Sequence, residues 1–328
     1  MRTLTVVCPV YDEEAVILAF HEELSRVLTG LEGRWSASVL YVVDRGTDRT
    51  LDLLRGLAAA DRSVRVLALS SHFGQQASLL AGLDHCDADA VVMMDGDLQH
   101  PPALIPELLA AHEKGYDVAY TVREDTPDIP LLKRLSARWF YRLLNAISDT
   151  PIHEGAADFR LVSRRVVEVF QRRIRERGLF LRGLFVWVGF PSCAVRFRAG
   201  TRRAGRTKYS LGRMLRFGLG GVVTFSRAPL RAALAAGLVI SGLGLLAASA
   251  ILLGAVLGQP LPPGWAIVAL LLAVLAGVQL VFAGILGEYV GAVLDEVRLR
   301  PHYIVEERVN LPPPAGTDGQ AQLPSADR

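Results

Sequence analysis

Charge is missing from one long stretch of this chain: from Ala232 to Gly287, 56 residues pass without an Asp, Glu, Lys or Arg. Runs of that length are foreign to soluble cores and exclude a single soluble domain. Cysteine is scarce too. Cys8, Cys86 and Cys193 stand far apart with no Cys-x-x-Cys spacing, which fits a reducing compartment and excludes a disulfide framework and a thiolate zinc site. There is no Gly-x-x-x-x-Gly-Lys-Ser/Thr loop, and no Gly-x-Gly-x-x-Gly follows the first apolar strand, which argues against P-loop nucleotidases and dehydrogenases. Disorder is excluded by the 51% hydrophobic content and mean hydropathy of +0.30. The first residues read as an apolar strand rather than a signal peptide.

The net charge of +3 conceals a division. Residues 1–159 carry 14 basic and 24 acidic side chains, residues 160–231 carry 18 basic against Glu168 and Glu176, and residues 232–328 carry 4 basic and 7 acidic. The basic waist abuts the apolar stretch, so anionic lipid suits it better than nucleic acid, and no nucleic-acid partner is expected. Residues 232–257 and 266–287 are each long enough to span a hydrocarbon core of about 30 Å as helix. The short turn between them, ending at Trp265, makes a hairpin whose flanks share one side. Arg213, Arg216, Arg227, Arg231, Arg298 and Arg300 place that side, with both termini, in the cytoplasm. Residues 210–231 mix Arg with Leu, Met and Phe and read as an amphipathic interfacial segment. Gly237, Gly242, Gly244, Gly277, Gly284 and Gly287 suit close helix approach and a homo-oligomer. Residues 288–328 form a cytoplasmic tail, disordered after about 310.

Before the waist, apolar strands alternate with amphipathic helices. Strands are expected at 4–9, 37–44, 64–69, 90–94 and 118–121, with helices at 13–28, 48–60, 74–86 and 102–114. This order predicts an α/β domain over 1–209 with a largely parallel sheet. Ligands bind beyond the carboxyl ends of such strands. There the sequence puts Tyr11 to Glu14, Asp44 to Asp48, Ser70 to Gly74 and Asp95 to Gln99. Carboxylates gathered on one edge repel one another unless a cation joins them. Asp95 and Asp97, with the Gln99 carbonyl, form an all-oxygen set that suits Mg²⁺ or Mn²⁺.

Four segments carry a resemblance: Cys-Pro-Val-Tyr-Asp-Glu-Glu at 8–14, Met-Asp-Gly-Asp-Leu-Gln-His-Pro-Pro at 94–102, Asp158-Phe159-Arg160-Leu161, and Thr207-Lys208-Tyr209-Ser210. The chain resembles family 2 glycosyltransferases over about residues 3–307. More narrowly it resembles the polyprenyl-phosphate sugar transferases, of the dolichyl-phosphate mannose synthase and undecaprenyl-phosphate glucosyltransferase type. The resemblance implies a GT-A (Rossmann-like) fold with interfacial helices and a two-helix transmembrane hairpin. It implies a nucleotide-sugar donor bound by Pro9, Tyr11, Glu13, Asp44 and Asp95, and a metal held by Asp95, Asp97 and Gln99. Asp158 is the catalytic candidate, as a positioning group or as a base; a structural pair with Arg160 is the plain alternative. Two departures stand out. Val43 and Arg45 occupy positions where the family usually has Asp and Gly, and Arg206 stands where Glu is common.

The implied acceptor is a polyprenyl phosphate, already anionic at neutral pH. Such a site needs cations more than a base. The candidates are Arg123, Lys133, Arg134, Ser136, Arg202, Arg203 and Lys208. The expected reaction is inverting transfer of one sugar, of the UDP-glucose or GDP-mannose class, at the cytoplasmic membrane face. A hydroxyl acceptor on a glycan, glycolipid or protein, or a non-catalytic membrane scaffold, are the alternatives. His72, His100 and His153 are assigned no role.

Overall fold

The computed structural model describes residues 1–123, 156–177, 179–197, 228–257 and 264–312. Among these, two compact units divide the chain: residues up to 197 together with 301–312, and the helical residues up to 300.

The first unit is built on a sheet whose heart is four parallel strands. β1 (Arg2–Val10) lies between β4 (Ala90–Met93) and β2 (Trp35–Val43), and β2 pairs in turn with β3 (Val64–Leu69). From Leu4 to Val10 every residue of β1 is buried, because helices cover both faces of the sheet. α1 (Ile17–Thr29) buries Ile17, Phe20, Leu24 and Leu28, one stripe of a 3.6-residue repeat. Each such side chain contributes roughly 1.5–3 kcal/mol. α2 (Thr50–Ala60) repeats the pattern with Thr50, Leu54 and Ala58. α3 (Gln75–Asp84) is buried continuously from Ala77 to Leu83, since it packs on β1 and β2 and also against α5 (Arg164–Arg172). α4 (Ile105–Glu113) follows a short turn begun by Pro102.

The remaining strands change the expected picture. β5 (Val118–Arg123) is parallel to the central strands, but β6 (Ala156–Ser163) runs antiparallel between β4 and β5. β7 (Ser192–Phe197), after the short helix α6 (Leu181–Trp187), pairs parallel to β5. β8 (Val305–Val309) runs antiparallel along β3 and closes the other edge. The eight strands are ordered β7-β5-β6-β4-β1-β2-β3-β8; six share one direction, as the largely parallel expectation has it, and the antiparallel β6 and β8 make the sheet mixed. The alternation of strands and helices has no way to announce β6, whose middle holds Asp158 and Arg160, both buried. Nor does it announce β8, a polar edge strand.

The second unit contains α7 (Ala228–Val256) and α8 (Gly264–Val297). The two charge-free runs fall inside them, save that Leu257 lies one residue past α7, and α8 continues past Gly287 through Glu288, Asp295 and Glu296. Among the described residues one stretch, Leu275–Val297, is long and apolar enough to cross a membrane. Leu243, Leu246, Leu253, Leu271, Leu272 and Leu280 are all exposed within this unit. Gly237 faces the Phe282 ring, whereas Gly242, Gly244, Gly277, Gly284 and Gly287 face open space. Residues 210–227 of the expected interfacial segment, and the tail beyond 312, lie outside the described residues.

Candidate active site

At the carboxyl edge of the sheet, the loops after β1 and β2 are bolted together by their own side chains. Asp12 Oδ1 accepts the Thr47 N–H at 2.8 Å, Asp48 Oδ2 accepts the Glu14 N–H at 2.9 Å, and Thr50 Oγ1 accepts the Glu13 N–H at 3.0 Å. Glu14 in return accepts both the backbone N–H and the Nε–H of Arg49. A Cβ on Gly46 would stand 2.2 Å from Asp12 Oδ1, so the two loops approach this closely only because residue 46 has no side chain. These bonds also explain two helix starts. The loop through Glu13 accepts the N–H groups of Val16 and Ile17, and Asp48 Oδ1 accepts the Thr50 N–H, so α1 and α2 begin later than periodicity suggests.

Of the donor-side candidates, Pro9 lies within β1, and Tyr11 sits 37% exposed with its ring 4.3 Å from that of His72. Glu13 opens the turn into α1. Asp44 is 3% exposed, and its carboxylate is already engaged: Oδ1 accepts the Phe73 N–H at 2.7 Å, Oδ2 the Gly74 N–H at 2.8 Å, and His72 Nδ1 lies 2.7 Å from Oδ2. Asp44 thus ties the end of β2 to the loop that opens α3. Val43 is buried in β2 and closes the strand.

After β4 the chain turns at Gly96, whose missing Cβ would lie 2.9 Å from Val10 Cγ1, and passes Leu98 in the left-handed region (φ 61°). The turn sets Asp95 and Asp97 on one edge. Asp95 Oδ1 accepts the Gln75 Nε2–H at 2.7 Å, and His100 Nδ1 lies 3.7 Å from Oδ2. Burial, then the negative charges of Asp158 and Asp97, push the Asp95 carboxyl up to about 7. Asp97 accepts the Gln99 N–H at 3.0 Å, and the Gln99 side-chain amide also lies on Asp97 Oδ2. No group of three or more His, Cys, Asp or Glu among the described residues could hold a metal ion unaided. The residues nevertheless fit a hard cation: two carboxylates whose mutual repulsion a divalent charge would relieve, completed by phosphate oxygens, are what Mg²⁺ uses in phosphate sites.

Asp158 is 5% exposed in β6 and is gripped by a residue that sequence reasoning passes over. Arg182 of α6 donates Nε–H to Oδ1 at 2.8 Å and Nη2–H to Oδ2 at 2.7 Å, a fork-to-fork pair. Arg160 is only a secondary partner, with Nη2 3.9 Å from Oδ1. Its guanidinium lies 4.7 Å over the Phe185 ring and donates to the Ala157 carbonyl at 2.9 Å. Burial works to raise the Asp158 carboxyl. The Arg182 fork, with the charges of Arg182, Arg160 and His100, outweighs it and holds the group below the usual carboxylate value. Arg182 sits in the apolar run Phe180-Leu181-Arg182-Gly183-Leu184-Phe185, and a lone charge in such a run was the available signal.

Of the acceptor candidates, Arg123 ends β5, and its side chain lies outside the described residues. Lys133, Arg134, Ser136, Arg202, Arg203 and Lys208 lie outside them entirely, as do His153 and Arg206.

The sequence pattern of glycosyl transferase family 2 matches residues 5–170. The chain is 36% identical over 307 residues to the uncharacterized glycosyltransferase YkcC of Bacillus subtilis (strain 168), with 94% of each chain covered. It is 35% identical over 305 residues to the SfII prophage-derived bactoprenol glucosyl transferase of Shigella flexneri, covering 93% of this chain and 97% of that one. Among solved structures, glucosyl-3-phosphoglycerate synthase from Mycobacterium tuberculosis in complex with Mn²⁺, UDP and phosphoglyceric acid superposes with a TM-score of 0.46 and 19% identity. That match covers 68% of this chain and 77% of the other.

Proposed function

The chain belongs to glycosyl transferase family 2, is a glycosyltransferase with a mixed α/β sheet of the GT-A kind, and from that premise we propose that it moves one sugar from a UDP- or GDP-sugar to undecaprenyl or another polyprenyl phosphate. The observation that carries this reading is the meeting of Asp95 and Asp97 with the Asp158–Arg182 fork at the carboxyl edge of the sheet. The bactoprenol names of its relatives support the lipid acceptor.

Asp95 and Asp97, with Gln99 once its amide turns its oxygen outward, would hold Mg²⁺ or Mn²⁺ against the donor diphosphate. A divalent cation there offsets the charge that builds on the leaving diphosphate. The protein's own residues do the rest. A phosphate oxygen of the acceptor attacks the anomeric carbon from the face opposite the diphosphate. The carbon–oxygen bond to the diphosphate breaks, its electron pair leaves with the diphosphate, and the anomeric configuration inverts. No proton need be removed from a phosphate dianion, so a strong base is unnecessary. Asp158 fits that requirement: locked to Arg182 and held acidic, it is a poor base and a good anchor for a guanidinium beside the reacting anions. The same fork argues against a hydroxyl acceptor, which would need a base to take its proton. Tyr11, Glu13, Pro9 and Asp44 shape the donor's nucleoside side, and the cationic candidates from Arg123 to Lys208 hold the acceptor phosphate. α7 and α8 are assigned to a membrane hairpin with both flanks cytoplasmic.

The test is an assay of the full chain in lipid nanodiscs with Mn²⁺, undecaprenyl phosphate and a panel of UDP- and GDP-sugars, with the product lipid read by mass spectrometry. One donor is expected to yield a monoglycosylated lipid. Failure with every donor overturns the proposal.

A further inference from the structure

Arg45 breaks the second-strand motif, and the structure supplies it with a partner 261 residues away. Its Nη1 donates to the Ser70 carbonyl at 3.1 Å and to Glu306 Oε2 and Oε1 at 3.1 and 3.3 Å. Glu306 lies on β8, which begins where β3 ends: Leu69 pairs with Val305, and the Ser70 N–H donates to the Ile304 carbonyl at 2.9 Å. Below the pair opens a cavity of about 470 Å³. Val43, Ala68 and Leu69 give it apolar walls, and Asp44, Arg45 and Glu306 stand among its polar groups. Its size, its mixed lining and its place at the carboxyl ends of β2 and β3 are those of a ligand pocket.

An exposed ion pair adds little to stability, and Arg45 and Glu306 are 58% and 49% exposed, so folding alone does not account for the pairing. All of its contacts with Ser70 and Glu306 use Nη1, and Nη2 and Nε enter no hydrogen bond among the described residues. A planar guanidinium held by one edge presents the other with little rotamer freedom left to lose.

Resting on the nucleotide-sugar reading above, we propose that β8 is a wall of the donor site and that Glu306 is a positioning residue, holding Arg45 so that its open edge donates to a carbonyl oxygen of the donor's nucleobase. Uracil and guanine carry such an oxygen, and adenine does not. The C-terminal strand therefore helps the site choose UDP or GDP over ADP.

Calorimetric titration of UDP, GDP and ADP into the full chain in detergent micelles, with Mn²⁺ present, tests this. Wild type is expected to bind UDP or GDP at least about tenfold more tightly than ADP, the scale of one well-made polar contact to a ligand. Arg45→Ala and Glu306→Gln are expected to shrink that ratio about three- to tenfold, while Glu306→Asp, which keeps a carboxylate, retains most of it. Glu22→Gln breaks an exposed pair with Arg26 within α1, away from the cavity, and should leave the ratio unchanged. If Glu306→Gln discriminates as wild type does, or if it weakens all three nucleotides alike, β8 is merely structural and the inference falls. Wild type binding none of the three would overturn the donor reading as well.

Discussion

Replacing Arg182 by Ala leaves Asp158, 5% exposed, with Arg160 at 3.9 Å and the charge of His100 to answer its own. Breaking a pair of this kind costs about 2–4 kcal/mol, at the lower end here because Arg182 is itself one-third exposed. Urea unfolding of Arg182→Ala should show that loss, with turnover reduced about a hundredfold or more. Asp158→Asn removes the anchor's charge while keeping its shape. Because the folded carboxyl lies below its usual value, the pair's stabilisation is complete above the unfolded value near ~4 and is lost as pH falls through the folded one. The stability gap between wild type and Asp158→Asn is therefore expected to stay constant from pH 5 to 8 and to close below about pH 4, as unfolding across pH will show. At Asp97, Ala should abolish metal-dependent transfer. Chelation of wild type should do the same and added Mn²⁺ restore it, by the product-lipid assay.

Loops and strands, rather than single side chains, set the spacing of this edge. Gly46→Ala would drive a methyl group into Asp12 and separate the loops after β1 and β2. The expected result is a donor KM raised several-fold and a stability loss of about 1–3 kcal/mol, read by steady-state kinetics and thermal melting. Alternating apolar runs made β1 to β5 and α1 to α4 legible, because their core faces repeat with the period of the element. The same signal is blind to β6, where Asp158 and Arg160 occupy buried positions that periodicity reserves for apolar residues. It is blind to β8 too, whose Val-Glu-Glu-Arg-Val needs only one paired edge. Neither the mixed sheet nor Arg182's grip on Asp158 could be read along the chain, since both depend on strands and helices far apart in sequence meeting side by side.

On the scale of the whole molecule, the sheet unit and the apolar helical unit differ in the side chains they leave exposed. Large aliphatic side chains stay exposed along α7 and α8, which water would penalise and hydrocarbon would not. The chain is expected to remain with membranes through an alkaline carbonate wash and to leave them only in detergent, as fractionation will show. Residues beyond 300 return to the first unit as β8, so a chain cut after α8 should lose the edge of the sheet and the Glu306 contact together.

Sequence alone determined the division into an acidic edge, a basic waist and a charge-free stretch, because charge and hydropathy are carried residue by residue. It also fixed the candidates Asp44, Asp95, Asp97, Gln99 and Asp158 by their places after strands and in motifs. Tertiary structure alone decided their neighbours. It joined Asp158 to Arg182, engaged Asp44 with Phe73 and Gly74, and brought Glu306 to the departing Arg45. Hydrogen bonds act over about 3 Å whatever the separation along the chain, and only the packed sheet brings such residues within that reach.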